Sequence, residues 1–86
     1  MRKRVVITGM GTINPLGNDV SSFWEGLVAG RSGAGPITAY DASDQAVRIA
    51  AEVKDFDPVA HFGRRQVRRS DRFAQLAMFA ADEAIA

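Results

Sequence analysis

Four arginines, Arg64, Arg65, Arg68 and Arg69, stand within six residues of one another in a chain of 86. They are its densest concentration of groups able to do chemistry. At positions i, i+1, i+4 and i+5 they project from one side if the segment is helical, and their guanidinium groups then offer a row of N–H donors suited to carboxylates or phosphates. Like charges four residues apart weaken a helix slightly. Asp71 is the one nearby residue that offsets them, so an external anion accounts for the cluster better than the segment itself does. The bland alternative is a solvated basic face. With Asp71 and Arg72 included, residues 64–72 carry +4 in a chain whose formal net charge is +1, which leaves −3 elsewhere. That unevenness, with no aromatics interleaved among the basic residues, argues against nucleic acid as the partner.

Two other features invite a chemical reading and fail it. Val5-Val6-Ile7-Thr8-Gly9-Met10-Gly11 is a β-branched run entering Gly-x-Gly, the start of a dinucleotide fingerprint. That fingerprint needs a third glycine or alanine at position 14 and an acidic residue about twenty positions on. Position 14 is Asn, Pro15 follows it, and the later region reads as a helix with a glycine-rich exit. The glycines are better read as a turning loop, part of it at positive φ. His61 is the single histidine, with no Cys, His, Asp or Glu partner at ligand spacing, and the chain has no cysteine. Disulfides and a zinc site are therefore not expected.

The elements that position these residues follow from pattern. Residues 4–8 predict a strand buried on both faces. Asn18 is placed to cap a helix whose Val20, Phe23, Trp24, Leu27 and Val28 fall at helical spacing, with Gly30 to end it. Residues 31–45, rich in Gly, Ser and Asp, read as a long surface connection, and residues 47–53 as a strand. Asp57-Pro58 opens a short helix that Gly63 closes. Ser70 is placed as the N-cap of a second long helix, with Asp71 in its first turn. In that helix Phe73, Ala74, Leu76, Ala77, Met78, Phe79, Ala80, Ala81, Ala84 and Ile85 cover nearly the whole circumference, so it calls for burial on all sides. The run ends at Ile85-Ala86 without a glycine, a cationic last turn or a capping signal, and is expected to continue as helix in a longer protein. With 47% hydrophobic and 24% charged residues the chain is globular in character. The apolar run behind Met1-Arg2-Lys3-Arg4 is too short for a signal peptide or a membrane span, so a cytoplasmic location is expected.

Five stretches in order carry a family resemblance: Val5-Val6-Ile7-Thr8-Gly9-Met10-Gly11; Pro15-Leu16-Gly17-Asn18; Phe23-Trp24-Glu25-Gly26-Leu27-Val28-Ala29-Gly30-Arg31-Ser32-Gly33; Val53-Lys54-Asp55-Phe56-Asp57; and Arg68-Arg69-Ser70-Asp71-Arg72-Phe73-Ala74-Gln75. Together they resemble the opening of β-ketoacyl-(acyl carrier protein) synthases of the thiolase-like superfamily, most nearly the type II elongating synthases. The departure is Ser70, where a methionine often precedes the aspartate. Aromatic polyketide ketosynthases and their chain-length partners share these stretches.

The resemblance implies an α/β fold in which residues 1–86 are the N-terminal fragment of the ketosynthase N-terminal domain, an incomplete part of a thiolase-like αβαβα layered fold that is a homodimer when full-length. It implies decarboxylating Claisen condensation by a cysteine and two histidines. None of these is in this chain, and His61 matches neither histidine. No cofactor is implied beyond the phosphopantetheine arm on which acyl carrier protein delivers its acyl groups. Arg65, Arg68 and Arg69, with Arg64 beside them, resemble the positions that meet the acidic helix of acyl carrier protein. The alternative from another class is a small standalone interaction module that docks an acidic carrier without catalysis.

Overall fold

Ser22 fixes where the first helix begins, because its N–H finds the Asp19 carboxylate at 2.7 Å. In the computed structural model, which describes residues 2–86, that helix is α1 (Val20–Val28). It is followed by β1 (Ala34–Pro36), β2 (Ile49–Ala51), α2 (Pro58–Phe62), α3 (Arg64–Arg69) and α4 (Arg72–Ile85). The cap is Asp19 and not the expected Asn18, whose Nδ2 is drawn off to the Lys54 carbonyl at 2.9 Å. Hydrogen bonds from Ser22, first its N–H and then its hydroxyl, hold the Asp19 carboxyl below its ordinary value. Gly30 ends α1 as expected: at φ 70 it donates to Leu27 O while Arg31 N–H reaches Gly26 O. These paired bonds satisfy two of the carbonyls a helix end leaves open.

The sheet differs from expectation. β1 lies inside the stretch read as a surface connection and pairs antiparallel with β2, Gly35 opposite Ala50. Composition hides this strand, since Gly and Pro are depleted in strands. In a two-stranded sheet, however, every strand is an edge and Pro36 forfeits no necessary donor. β2 occupies only the middle of the 47–53 run. Past it, the Glu52 carboxylate accepts the Thr38 N–H and hydroxyl and the Ala39 N–H, which holds the returning chain alongside.

Residues 4–8 form no strand among the described residues, and Val5 is 91% exposed. A β-branched run becomes a strand only where a neighbour accepts its N–H and C=O groups. The two-stranded sheet does not reach it. Gly9 and Gly11 also have a different reason to be glycine. Neither has positive φ, which among the described glycines belongs to Gly30 and Gly63 alone. Instead the segment runs against α4 so closely that a Cβ on Gly9 would collide with the Ala84 carbonyl, and one on Gly11 with that of Ala80.

α4 is thus the spine of the molecule, although the burial its apolar circumference calls for is largely missing. Phe73 and Met78 are exposed, and Ile85 is 83% exposed. The accessible surface is 7096 Å² and the radius of gyration 16.2 Å, against about 5,000 Å² for a compact protein of this mass and about 12 Å for its length. The helix begins one residue later than expected: Asp71 is its N-cap, without a side-chain bond, and Ser70 closes α3 instead.

Polar straps do much of the joining. Both oxygens of Glu83 are used, Oε1 accepting the Thr12 N–H at 3.0 Å and Oε2 the Val20 N–H at 2.9 Å. Lys54 Nζ donates to the carbonyls of Pro15, Gly33 and Glu52, so one ammonium gathers three separate pieces of chain.

Candidate functional site: the arginine face of the third helix

α3 is built almost wholly of good helix formers, Arg and Gln, and what happens at its two ends offsets the like charges they carry. Asp57 caps α2 by accepting the Ala60 N–H, and Gly63, at φ 84, turns the chain sharply enough for a second helix to begin at once. That turn is the role the sequence assigns to Gly63. At the far end, Gln75 Nε2 reaches back from α4 to the carbonyls of Val67 and Ser70. Between these fixed ends the like-charged pairs Arg64/Arg68 and Arg65/Arg69 are carried at a penalty of a few tenths of a kcal/mol each.

The six helical residues place Arg64, Arg65, Arg68 and Arg69 within less than half of the circumference, at about 100° per residue. All four are exposed, while Val67 on the opposite side is half-buried. Among the described residues, the one ion pair within 4.0 Å joins His61 to Asp82, so none of the four guanidinium groups is engaged with a carboxylate. Asp71, the offset read from the sequence, does not pair with them. Arg72, at the start of α4, is turned aside, its guanidinium 4.9 Å above the Phe56 ring. The result is four fixed-charge donors on one face, open to solvent and to any acidic partner.

His61 is more firmly placed than its lone position in sequence suggests. Its Nε2 lies 2.9 Å from Asp82 Oδ2, and its ring packs against Phe62 and Phe79 at centroid distances of 4.5 and 4.7 Å. Phe56 meets Phe79 edge-on. A His–carboxylate pair is half of a nucleophile-activating set. The cleft of about 350 Å³ beside it is lined by Asn18, Asp19, His61, Phe79, Asp82 and Glu83, which offers no hydroxyl or thiol to activate. The pair is a clamp between α2 and α4. No group of three His, Cys, Asp or Glu among the described residues could hold a metal ion, and no helix is long and apolar enough to cross a membrane.

Sequence reasoning passed over Glu83, Asp82, Lys54 and the side-chain role of Gln75. A signal was present for the first two. Carboxylates in the last turn of a helix oppose its dipole, so Asp82 and Glu83 at the end of an otherwise apolar helix needed partners elsewhere. Lys54 and Gln75 gave none, because their bonds go to backbone carbonyls that no residue type announces.

Comparison with known proteins covers the whole of this arrangement. Residues 2–86 match the family model described as "Beta-ketoacyl synthase, N-terminal domain". A protein of Synechocystis named 3-oxoacyl-[acyl-carrier-protein] synthase 2 is 51% identical over 84 residues, 98% of this chain and 20% of that protein. One of the same name from Coxiella burnetii is 51% identical over 83 residues, 96% of this chain and 20% of its own length. A third, from Staphylococcus aureus, is 46% identical over 83 residues with the same coverage. The chain spans about a fifth of the length of these curated relatives.

Proposed function

Since the chain belongs to the β-ketoacyl synthase family, matching its N-terminal domain from residue 2 to residue 86, we propose that it is the N-terminal piece of a 3-oxoacyl-[acyl carrier protein] synthase. The observation that carries this reading is the 51% identity over 84 residues to a protein of that name. The proposed full-length protein is an acyltransferase that elongates acyl chains in fatty-acid biosynthesis by decarboxylating Claisen condensation. Its fold is the thiolase-like αβαβα arrangement, in a homodimer.

The chemistry falls outside these residues. A thiolate must take the acyl group and a malonyl thioester must lose carbon dioxide to supply the attacking carbon, and the chain has no cysteine and one histidine, already engaged with Asp82. The contribution made here is recognition. Arg65, Arg68 and Arg69, flanked by Arg64, form the docking face for the acidic helix of acyl carrier protein. Their common exposure on α3 and their freedom from ion pairs among the described residues support this.

A condensation assay with acyl and malonyl carrier-protein thioesters tests the reading. The full-length protein containing this segment should form the ketoacyl thioester, and the 86-residue chain should form none. Product from the short chain, or none from the long one, overturns it.

A further inference from the structure

We propose that Gln75 is a positioning residue for the arginine face: by holding the carbonyls of the last turn of α3 it sets the direction in which Arg68 and Arg69 project. The inference rests on the carrier-docking reading above and adds to it a residue that carries no charge and lies beneath the surface.

Gln75 is 7% exposed, the one buried polar side chain among the described residues. Its Nε2 donates to Ser70 O at 2.9 Å and to Val67 O at 3.3 Å. A buried amide is costly unless bonded, so this side chain is tied to where those carbonyls are. The carbonyls need it in turn, because the last four of any helix lack partners within it. At the C-cap of α3 the backbone bond from Ser70 N–H to Val67 O is stretched to 3.4 Å, beyond the usual range. The Gln75 bond to that same oxygen, at 3.3 Å, is also long, and the one to Ser70 O is the firmer of its two. Mutual repulsion between Arg64 and Arg68 and between Arg65 and Arg69 pulls the same turn open. The Gln75 amide therefore reinforces the end of a helix whose own charges oppose it, most firmly at Ser70 O. Two bonds converging from α4 fix both the end of α3 and its rotation about its axis.

The experiment uses a full-length synthase containing this segment, with Gln75→Met, which keeps length and removes both donors, and Gln75→Glu, which keeps shape. Steady-state kinetics are measured with acyl carrier-protein thioesters and with a small thioester that lacks the carrier, and hydrogen exchange is followed at residues 67–70. Gln75→Met should raise the carrier KM about threefold to tenfold, the factor that losing one ordinary hydrogen bond represents. It should leave kcat/KM for the small thioester within about twofold and speed exchange at residues 67–70. The salt dependence of carrier use should persist, since all four charges remain. Gln75→Glu should give a carrier KM that rises with pH more steeply than the parent's, because the ionised carboxylate faces two carbonyls with no proton to offer.

An unchanged carrier KM in both variants overturns the proposal, and so does an equal loss with both substrates, which marks a residue needed for the fold at large. If Gln75→Met does not fold, the pH profile of Gln75→Glu decides alone. The triple reversal of Arg65, Arg68 and Arg69 to Glu runs alongside. If it leaves carrier use intact, the docking reading itself fails. If it impairs carrier use and the Gln75 variants do not, only the present proposal fails.

Discussion

Gly11 lies against the Ala80 carbonyl with no room for a side chain between them. Backbone meets backbone at this point, so neither partner can yield by changing a rotamer. In a full-length parent, Gly11→Ala should lower stability by about 1–3 kcal/mol, the usual range for overpacking. Gly35, around which a Cβ would meet nothing within 4 Å, supplies the control: Gly35→Ala should shift stability by no more than about 0.5 kcal/mol. Urea unfolding curves of the two variants check this, and equal shifts would show that the contact at Gly11 is not the cause.

The Glu83 carboxylate uses one oxygen for Thr12 and the other for Val20. Glu83→Gln keeps the shape but turns an amide donor toward one of two N–H groups, so one bond must be lost. A cost of about 1–3 kcal/mol is expected for the donor left unpaired, with Glu83→Ala worse. Thermal melts of the full-length variants test it. An unaltered Tm for Glu83→Gln would mean that water replaces the bond.

Hydrogen bonds from Thr38, first its hydroxyl and then its N–H, hold the Glu52 carboxyl below the ordinary glutamate value, with Ala39 and Lys54 adding to the effect. A carboxyl whose folded pKa is depressed binds its proton more readily when unfolded. Its contribution to stability is therefore complete above the unfolded pKa of about 4.3 and is lost as pH falls through the lower folded value. An NMR titration of the Glu52 side chain should give a midpoint below that of the same carboxyl in urea. The difference should shrink without vanishing in Thr38→Val, which removes the hydroxyl and leaves the backbone N–H donors and Lys54 in place.

Reversing Arg65, Arg68 and Arg69 to Glu in the full-length parent should raise the KM for carrier-bound substrates by about tenfold or more, the factor that ~1.4 kcal/mol represents. Turnover of a small thioester without the carrier should be nearly unchanged. Salt should weaken carrier use by the parent, since screening at 0.15 M acts over about 8 Å, and should affect the reversed variant little or improve it. Parent-like kinetics on carrier substrates at low salt would make the face solvated decoration.

Local signals in the sequence were legible wherever one residue type does one job. Asp57-Pro58 opened α2, Gly63 closed it, Gly30 ended α1, and the arginine spacing placed four charges on one face once residues 64–69 proved helical. What the sequence concealed depends on other parts of the chain. Residues 4–8 have strand composition without a neighbour to pair with, and β1 has a neighbour without strand composition. The cap of α1 slipped by one residue because Lys54 O claims Asn18, and that of α4 because the Ser70 backbone closes α3. Gly9 and Gly11 signalled a constraint correctly but not its kind, since close approach and positive φ leave the same mark in sequence.

The strap from Glu83 to Val20 spans 63 residues, and that separation matters while the protein is being made. At about 5–20 residues per second, Glu83 is joined to the growing chain roughly 3 to 13 s after Val20. Helix formation takes microseconds or less. Throughout that delay α1 has its own cap at Asp19, but its first N–H must be satisfied by water, and the Thr12 N–H lacks its fastening as well. A nine-residue helix is marginal alone in water, so the nascent N-terminal third emerges without either fastening, beside Val5, Val6 and Ile7, which stay exposed in the described structure as well. A codon change that slows synthesis between residues 20 and 83 would lengthen this exposed interval without altering a single contact in the finished protein.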